Sequence, residues 1–233
     1  WIRWVSLKCA TVRSCKRVKK MQGEIIQTVS NLSASYKIVE SEREVGQATL
    51  TNNFVRGGTF EFTVYGKTFS MGYEPKAQIE SWFRKKTEKE DVPYILYSHD
   101  EPCGKIAIRT SEGSVFTRYQ YYGMEWNAHQ YSMYEVGLGK EGIKYPIYDG
   151  NTQIALIEKD TTVYNNLDVY RVTATSEQSF LVTTIFGLYL DASSYAHRGE
   201  IVKKSVEKTY YLTTNKKLKA KYDPDFKEKS KML

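Results

Sequence analysis

Cysteine is scarce in this chain, with three copies among 233 residues. Cys9 and Cys15 fall in the first twenty residues, and Cys103 stands alone in the body. So sparse and odd a set excludes a disulfide framework and points to a reducing compartment. Histidine is equally rare: His99, His129 and His197 share neither HxxxH nor HExxH spacing, and no ligand-spaced cluster suggests zinc. No cofactor is expected. Neither a GxSxG elbow nor a P-loop is present. Five prolines and 15 glycines are ordinary numbers, so disorder throughout is excluded.

Long hydrophobic runs are also missing, with one near exception. SFLVTTIFGLYLDASSYA, Ser179 to Ala196, is bounded by Glu177 and Gln178 and interrupted by Asp191. A helix needs about 20 apolar residues to cross a bilayer, and this stretch is too short and too polar. It suits a core helix of several turns. Thr175 or Ser176 can cap its start, and Glu177 favours the positive end of the dipole. Leu181, Ile185 and Leu188 form one stripe, yet Phe180, Phe186 and Tyr189 cover other faces. A helix apolar nearly all round must be enclosed on nearly all sides. Asp191, near the negative end, is expected to be exposed or paired.

Acidic residues are absent from one end. Residues 1–20 contain seven of the 34 basic residues and no acid, which leaves 27 basic residues to match 27 acidic ones. The net charge of +7 therefore belongs to an arm. Three readings of the arm stay open: an extension not native to the protein, a solvated tail, or a basic arm for anionic lipid or nucleic acid. A secretory signal is not expected there, because no apolar stretch of the needed length occurs.

What the chain has in quantity is tyrosine, 19 copies, with many β-branched residues; that bias fits strands. Strands are expected at 34–39, 45–54, 59–64, 67–71, 93–97, 105–109, 115–121, 130–136, 144–148, 152–158 and 167–174. Asp149-Gly150 marks a hairpin turn, and GLGKEG, Gly137 to Gly142, reads as a loop. A short amphipathic helix is expected near 75–86, with Ile79, Trp82 and Phe83 on one face. About eleven or twelve antiparallel strands in a sheet normally curl, split or close. Closing them into a barrel around the helix at 176–195 gives the helix a wall and the sheet no edges. A sandwich with the helix across one face is the alternative.

KYPIYDGNTQIALIEKDTTVYNNLDVYRVTATSEQSFLVTTIFGLYLDASSYA, Lys144 to Ala196, with YDPDF at Tyr222 to Phe226, resembles the tubby C-terminal-like superfamily, in particular bacterial members of its LURP-one-related and phospholipid scramblase-like branch. The resemblance covers roughly a third of the chain. It implies a closed barrel threaded by a hydrophobic helix; tubby members bind phosphoinositides, but their basic ligands have no residue-by-residue match here, so the resemblance carries the fold and no function. The organisation expected is a basic arm or appended extension at 1–20, a tubby-like barrel at 21–200 and a lysine-rich segment at 201–233 that adds one more strand or ends as a solvated tail.

Catalytic patterns are thin. Cys103 with His99 or His129 makes a thiol–imidazole pair only if the fold joins them. HDE, His99 to Glu101, suits a turn better than a cation, since Pro102 and Gly104 follow. The expectation is a non-enzymatic, cytoplasmic protein at the periphery of an anionic phospholipid surface. Lys19, Lys20, Lys216, Lys217, Lys219 and Lys221 are the candidate anion ligands, and Phe180, Leu181, Ile185, Phe186, Leu188 and Tyr189 the core helix. The rival is a nucleic-acid-binding protein that uses the basic ends and the aromatics of Tyr119 to Tyr122.

Overall fold

The computed structural model describes residues 20–30, 33–53, 57–73, 93–114, 117–165, 167–195, 206–208 and 210–229. The amphipathic segment expected near 75–86 lies outside these, as do Lys19, His197, Cys9 and Cys15.

Strands β1 (Met21–Ser30), β2 (Ser33–Glu40), β3 (Arg43–Asn53), β4 (Gly57–Val64), β5 (Lys67–Tyr73), β6 (Tyr94–Ser98), β7 (Glu101–Thr110), β8 (Gln120–Trp126) and β9 (His129–Met133) follow one another as an antiparallel meander. β10 (Val136–Gly139), β11 (Ile143–Asp149), β12 (Thr152–Lys159), β13 (Thr162–Tyr164) and β14 (Val169–Ala174) complete the run before the helix. β9 pairs with β11, β11 with β12, β12 with β14, and β14 with β1, which closes a twelve-strand barrel. The expected closed barrel is the architecture found.

Helix α1 (Glu177–Leu190) threads it. Eight strands already make a tube that side chains alone can fill, so twelve leave a lumen that needs a filler. Every residue from Ser179 to Leu190 is buried. Phe180, Ile185, Phe186 and Leu188 have no solvent exposure, and Leu181 and Tyr189 retain 3% each. At roughly 1.5–3 kcal/mol per large apolar side chain, this burial dominates the helix's stability. Its hydroxyls are satisfied locally: Thr183 donates to the Ser179 carbonyl at 2.6 Å and Thr184 to that of Phe180 at 3.0 Å. The Ser176 hydroxyl caps the start, accepting from the Ser179 N–H at 3.1 Å. A π-helical turn, Asp191–Tyr195, ends the rod.

Strand direction defines two rims. α1 starts beside Met21 and Ala174, which pair with each other. Fourteen residues at 1.5 Å rise carry it about 21 Å to the opposite rim, where Ser30, Tyr73, Thr110 and Lys159 lie.

Three details differ from the reading of the sequence. β1 was not expected, because its inward positions are Gly23, Ile25 and Gln27, only one of them a bulky apolar residue. The strand expected at 115–121 is displaced: β8 begins at Gln120, and the aromatic run Tyr121 to Trp126 is the strand itself. Gly137 to Gly139 is a strand rather than loop, and its pairing is discussed below.

Candidate functional site

The rim where α1 ends concentrates the unusual chemistry. Asp191 has no solvent exposure. Its Oδ2 accepts a 2.5 Å hydrogen bond from the Tyr36 hydroxyl and its Oδ1 a 2.6 Å bond from Tyr170. The Lys159 ammonium lies 5.0 Å from the Tyr170 ring centroid and ion-pairs with Asp168. Asp168 in turn donates its backbone N–H to Gln27 Oε1 at 3.1 Å. Burial lowers the pKa of Lys159 to about 8, against the opposing pull of Asp191 and Asp160. Burial, reinforced by Asp191, holds the Tyr36 hydroxyl well above its ordinary range. None of the six residues Gln27, Tyr36, Lys159, Asp168, Tyr170 and Asp191 is more than 5% exposed. The cluster therefore anchors the helix end, and Asp191 is paired, as one of its two expected states required.

The described parts of the C-terminal segment, 206–208 and 210–229, pack on the outer wall. β15 (Val206–Lys208) pairs with β13, and β16 (Tyr211–Leu212) pairs with β10. The latter pairing is why Gly137 is glycine: a Cβ there would stand 2.3 Å from the Tyr211 ring. Helix α2 (Lys216–Lys219) is capped by Asn215, whose Oδ1 accepts from the N–H of Lys217 and Leu218. Leu218 is buried against Tyr134 and Val136 in a second apolar cluster. Phe226 opens helix α3 (Phe226–Lys229) and is also buried.

The candidate lysines divide in two. Lys221 sits 4.7 Å over the Tyr134 ring and 5.6 Å over Tyr148, whose hydroxyl donates to the Lys221 carbonyl at 2.8 Å. Lys20 donates to the carbonyls of Phe226, at 2.8 Å, and Lys227, and lies 5.0 Å over the Phe226 ring. Both act as internal clamps. Lys216, Lys217 and Lys219 are exposed on α2. Immediately before them, Tyr210 is 60% exposed, Tyr211 41% and Leu212 62%. The sequence pointed to the lysines; the apolar partners beside them escaped notice because KTYYLTTN read as a strand, and strands usually bury such residues.

A groove of about 510 Å³ opens beside β16, lined by Tyr119, Tyr121, Tyr122, Tyr211 and Glu135 among others. The Tyr122 hydroxyl lies 3.2 Å from Ser194 Oγ in the turn after α1 and 3.5 Å from Glu135 Oε2. Tyr119 and Tyr121 pack on Tyr134 at 6.1 and 5.6 Å between centroids.

At the opposite rim, a cleft of about 430 Å³ contains both Cys103 and His129. His129 Nδ1 lies 3.0 Å from Asp149 Oδ2. Cys103 occupies a β-bulge, since the register passes from Gly104 opposite Leu96 to Pro102 opposite Tyr97. Burial pushes its thiol pKa up, while a hydrogen bond with Trp126 opposes the shift. A nucleophilic cysteine needs the reverse shift. His99 and Asp100 form the β6–β7 turn, with φ of 52° and 64°, as HDE suggested. Among the described residues, no group of three or more His, Cys, Asp or Glu side chains could hold a metal. No helix among them is long and apolar enough to cross a membrane.

No family model matches the chain, and neither a curated protein nor a solved structure does.

Proposed function

We propose that the protein is a non-enzymatic tubby-like barrel that docks on anionic phospholipid through the rim where α1 ends. The observation that carries this reading is the stretch Tyr210 to Lys219. It joins three exposed apolar side chains, Tyr210, Tyr211 and Leu212, to three exposed lysines, Lys216, Lys217 and Lys219. Tyrosine and leucine at a surface edge suit the headgroup boundary, and lysines beside them suit its negative potential. Tyr164 and Val206, on the neighbouring β13–β15 ribbon, are 63% and 61% exposed and extend the apolar surface. The helix-threaded barrel agrees with the architecture that the tubby-like resemblance implies.

Binding of single-stranded nucleic acid is the weaker reading. The groove that Tyr119, Tyr121 and Tyr122 line also holds the Glu135 carboxylate, which repels a phosphate backbone.

The test is flotation with vesicles of phosphatidylcholine alone and of phosphatidylcholine with phosphatidylserine. At roughly 1 kcal/mol per lysine near a charged surface, reversing Lys216, Lys217 and Lys219 to glutamate lowers partitioning by about 100-fold or more. Tyr210→Ser with Leu212→Ser weakens it further at high salt. Equal recovery on both vesicle types, or wild-type recovery of the triple variant, refutes the proposal.

A further inference from the structure

Apart from Tyr211 and Leu212, the groove beside β16 is lined by residues that the membrane reading does not use. Its walls include Tyr119, Tyr121, Tyr122 and Tyr211, its acidic group is Glu135 and its basic group is Arg118. Aromatic faces around one carboxylate are the chemistry that recognises organic ammonium ions, through the ring quadrupole and the opposite charge together.

Two further observations support this. The same tyrosine cluster already holds an ammonium: Lys221 of the C-terminal segment lies over Tyr134 and Tyr148, and Tyr119 and Tyr121 pack in the same cluster. And Glu135 is poorly matched as it stands. Among the described residues its one hydrogen bond is the contact from Tyr122, at the 3.5 Å limit. Burial raises its pKa, with Tyr122 only partly offsetting. The cation in the lining, Arg118, is tied to its own loop through the 2.7 Å bond from Nε to the Gly113 carbonyl. A cation entering the groove would supply the charge that Glu135 lacks.

We propose that this groove is a binding site for a small organic ammonium ion of the choline type, seated between Tyr119, Tyr121 and Tyr211 with its charge toward Glu135. The shared chemistry, a quaternary ammonium, occurs both in free choline and in a phosphatidylcholine headgroup. The site stands independently of docking on anionic lipid.

The experiment is calorimetric titration of the full chain with choline chloride and, in parallel, with 3,3-dimethylbutan-1-ol, which has the same shape without the charge. Choline binds saturably with a dissociation constant on the order of 1 mM, as expected for a few cation–π contacts and one partly buried carboxylate. The neutral isostere binds at least about tenfold more weakly. Glu135→Gln, checked for an unchanged thermal melt, loses about tenfold in choline affinity. Tyr121→Leu does the same, and Lys67→Glu, exposed at the start of β5 on the other rim, does not weaken it. Competition by phosphatidylcholine vesicles assigns the site to the headgroup, and its absence assigns it to the free ion; both sustain the proposal. No saturable binding, equal binding of the neutral isostere, or unchanged affinity in a folded Glu135→Gln variant overturns it. The serine-lipid dependence of flotation is unaffected by any of these results, so the two proposals fail separately.

Discussion

Tyr36 on β2 donates its hydroxyl to Asp191, 155 residues later, at 2.5 Å inside the barrel. With Tyr170 on the other carboxylate oxygen, this bond ties the far end of α1 to two neighbouring regions of the wall. Breaking a buried ionic cluster by removing one member leaves the others without compensation. Asp191→Ala is expected to cost about 3–5 kcal/mol, because two phenols lose their acceptor and Lys159 loses a nearby opposite charge. Tyr36→Phe removes one hydrogen bond to a charged group and costs roughly 1.5–3 kcal/mol. Urea denaturation measures both. An Asp191→Ala protein as stable as wild type would show that the cluster does not hold the helix.

The same burial gives stability a defined alkaline limit. Burial and Asp191 raise the Tyr36 pKa, and burial followed by Glu135 raises that of Tyr122. In the unfolded chain both phenols ionise near pH 10. Above that pH the folded state binds more protons than the unfolded state, so stability falls as pH rises. Below it both states are protonated and these groups add no slope. Lys159 acts in the opposite sense: with a folded pKa of about 8, it adds stability as pH climbs from there toward its unfolded value. Unfolding followed from pH 8 upward by tyrosinate absorbance and circular dichroism should show a loss beginning near pH 10. A Tyr36→Phe, Tyr122→Phe protein should lose less. Identical alkaline limbs for the two proteins would contradict the assignment.

The barrel and its helix were legible because their periods were clear. Ser179 to Leu190 is apolar on every face, which demands a closed wall, and the alternating strands from Ala34 onward supply one. β1 was hidden because its lumen positions are shaped by α1 rather than by hydrophobicity. A Cβ on Gly23 would stand 2.7 Å from the Phe180 ring and 2.1 Å from the Val39 carbonyl, so only glycine fits, and glycine carries no strand signal. Gln27 faces Asp168, an arrangement visible only once β1 and β14 are adjacent. The candidate site was legible in part. Lysine clustering marked Lys216, Lys217 and Lys219, but a charge count cannot distinguish them from Lys221, whose ammonium rests on two rings from distant strands. Glu135 gave no sign at all. Its interest comes from Tyr122 and Tyr211, which chain order places far apart and the β10–β16 pairing brings together.

The C-terminal segment is expected to open before the barrel does. Its attachments among the described residues include Leu218 in the cluster with Tyr134 and Val136, Lys221 over Tyr134 and Tyr148, Lys227 paired with Glu158, and Lys20 on the carbonyls of α3. Gly137 also accepts from the Thr213 N–H at 2.9 Å and donates to the Thr213 hydroxyl at 2.8 Å. The barrel, by contrast, is closed by continuous ladders and filled by α1. Elements with few buried contacts exchange their amide hydrogens by local opening, independently of global unfolding. Leu218→Ala removes a buried leucine worth about 2–5 kcal/mol to its site. In that variant, amides of Gly137, Thr213 and Lys219 should exchange faster by orders of magnitude, while those of Ile185 and Ile38 keep wild-type protection. Adding Lys221→Ala should extend the effect without reaching the helix. A uniform loss of protection across both regions would show instead that the segment and the barrel unfold as one unit.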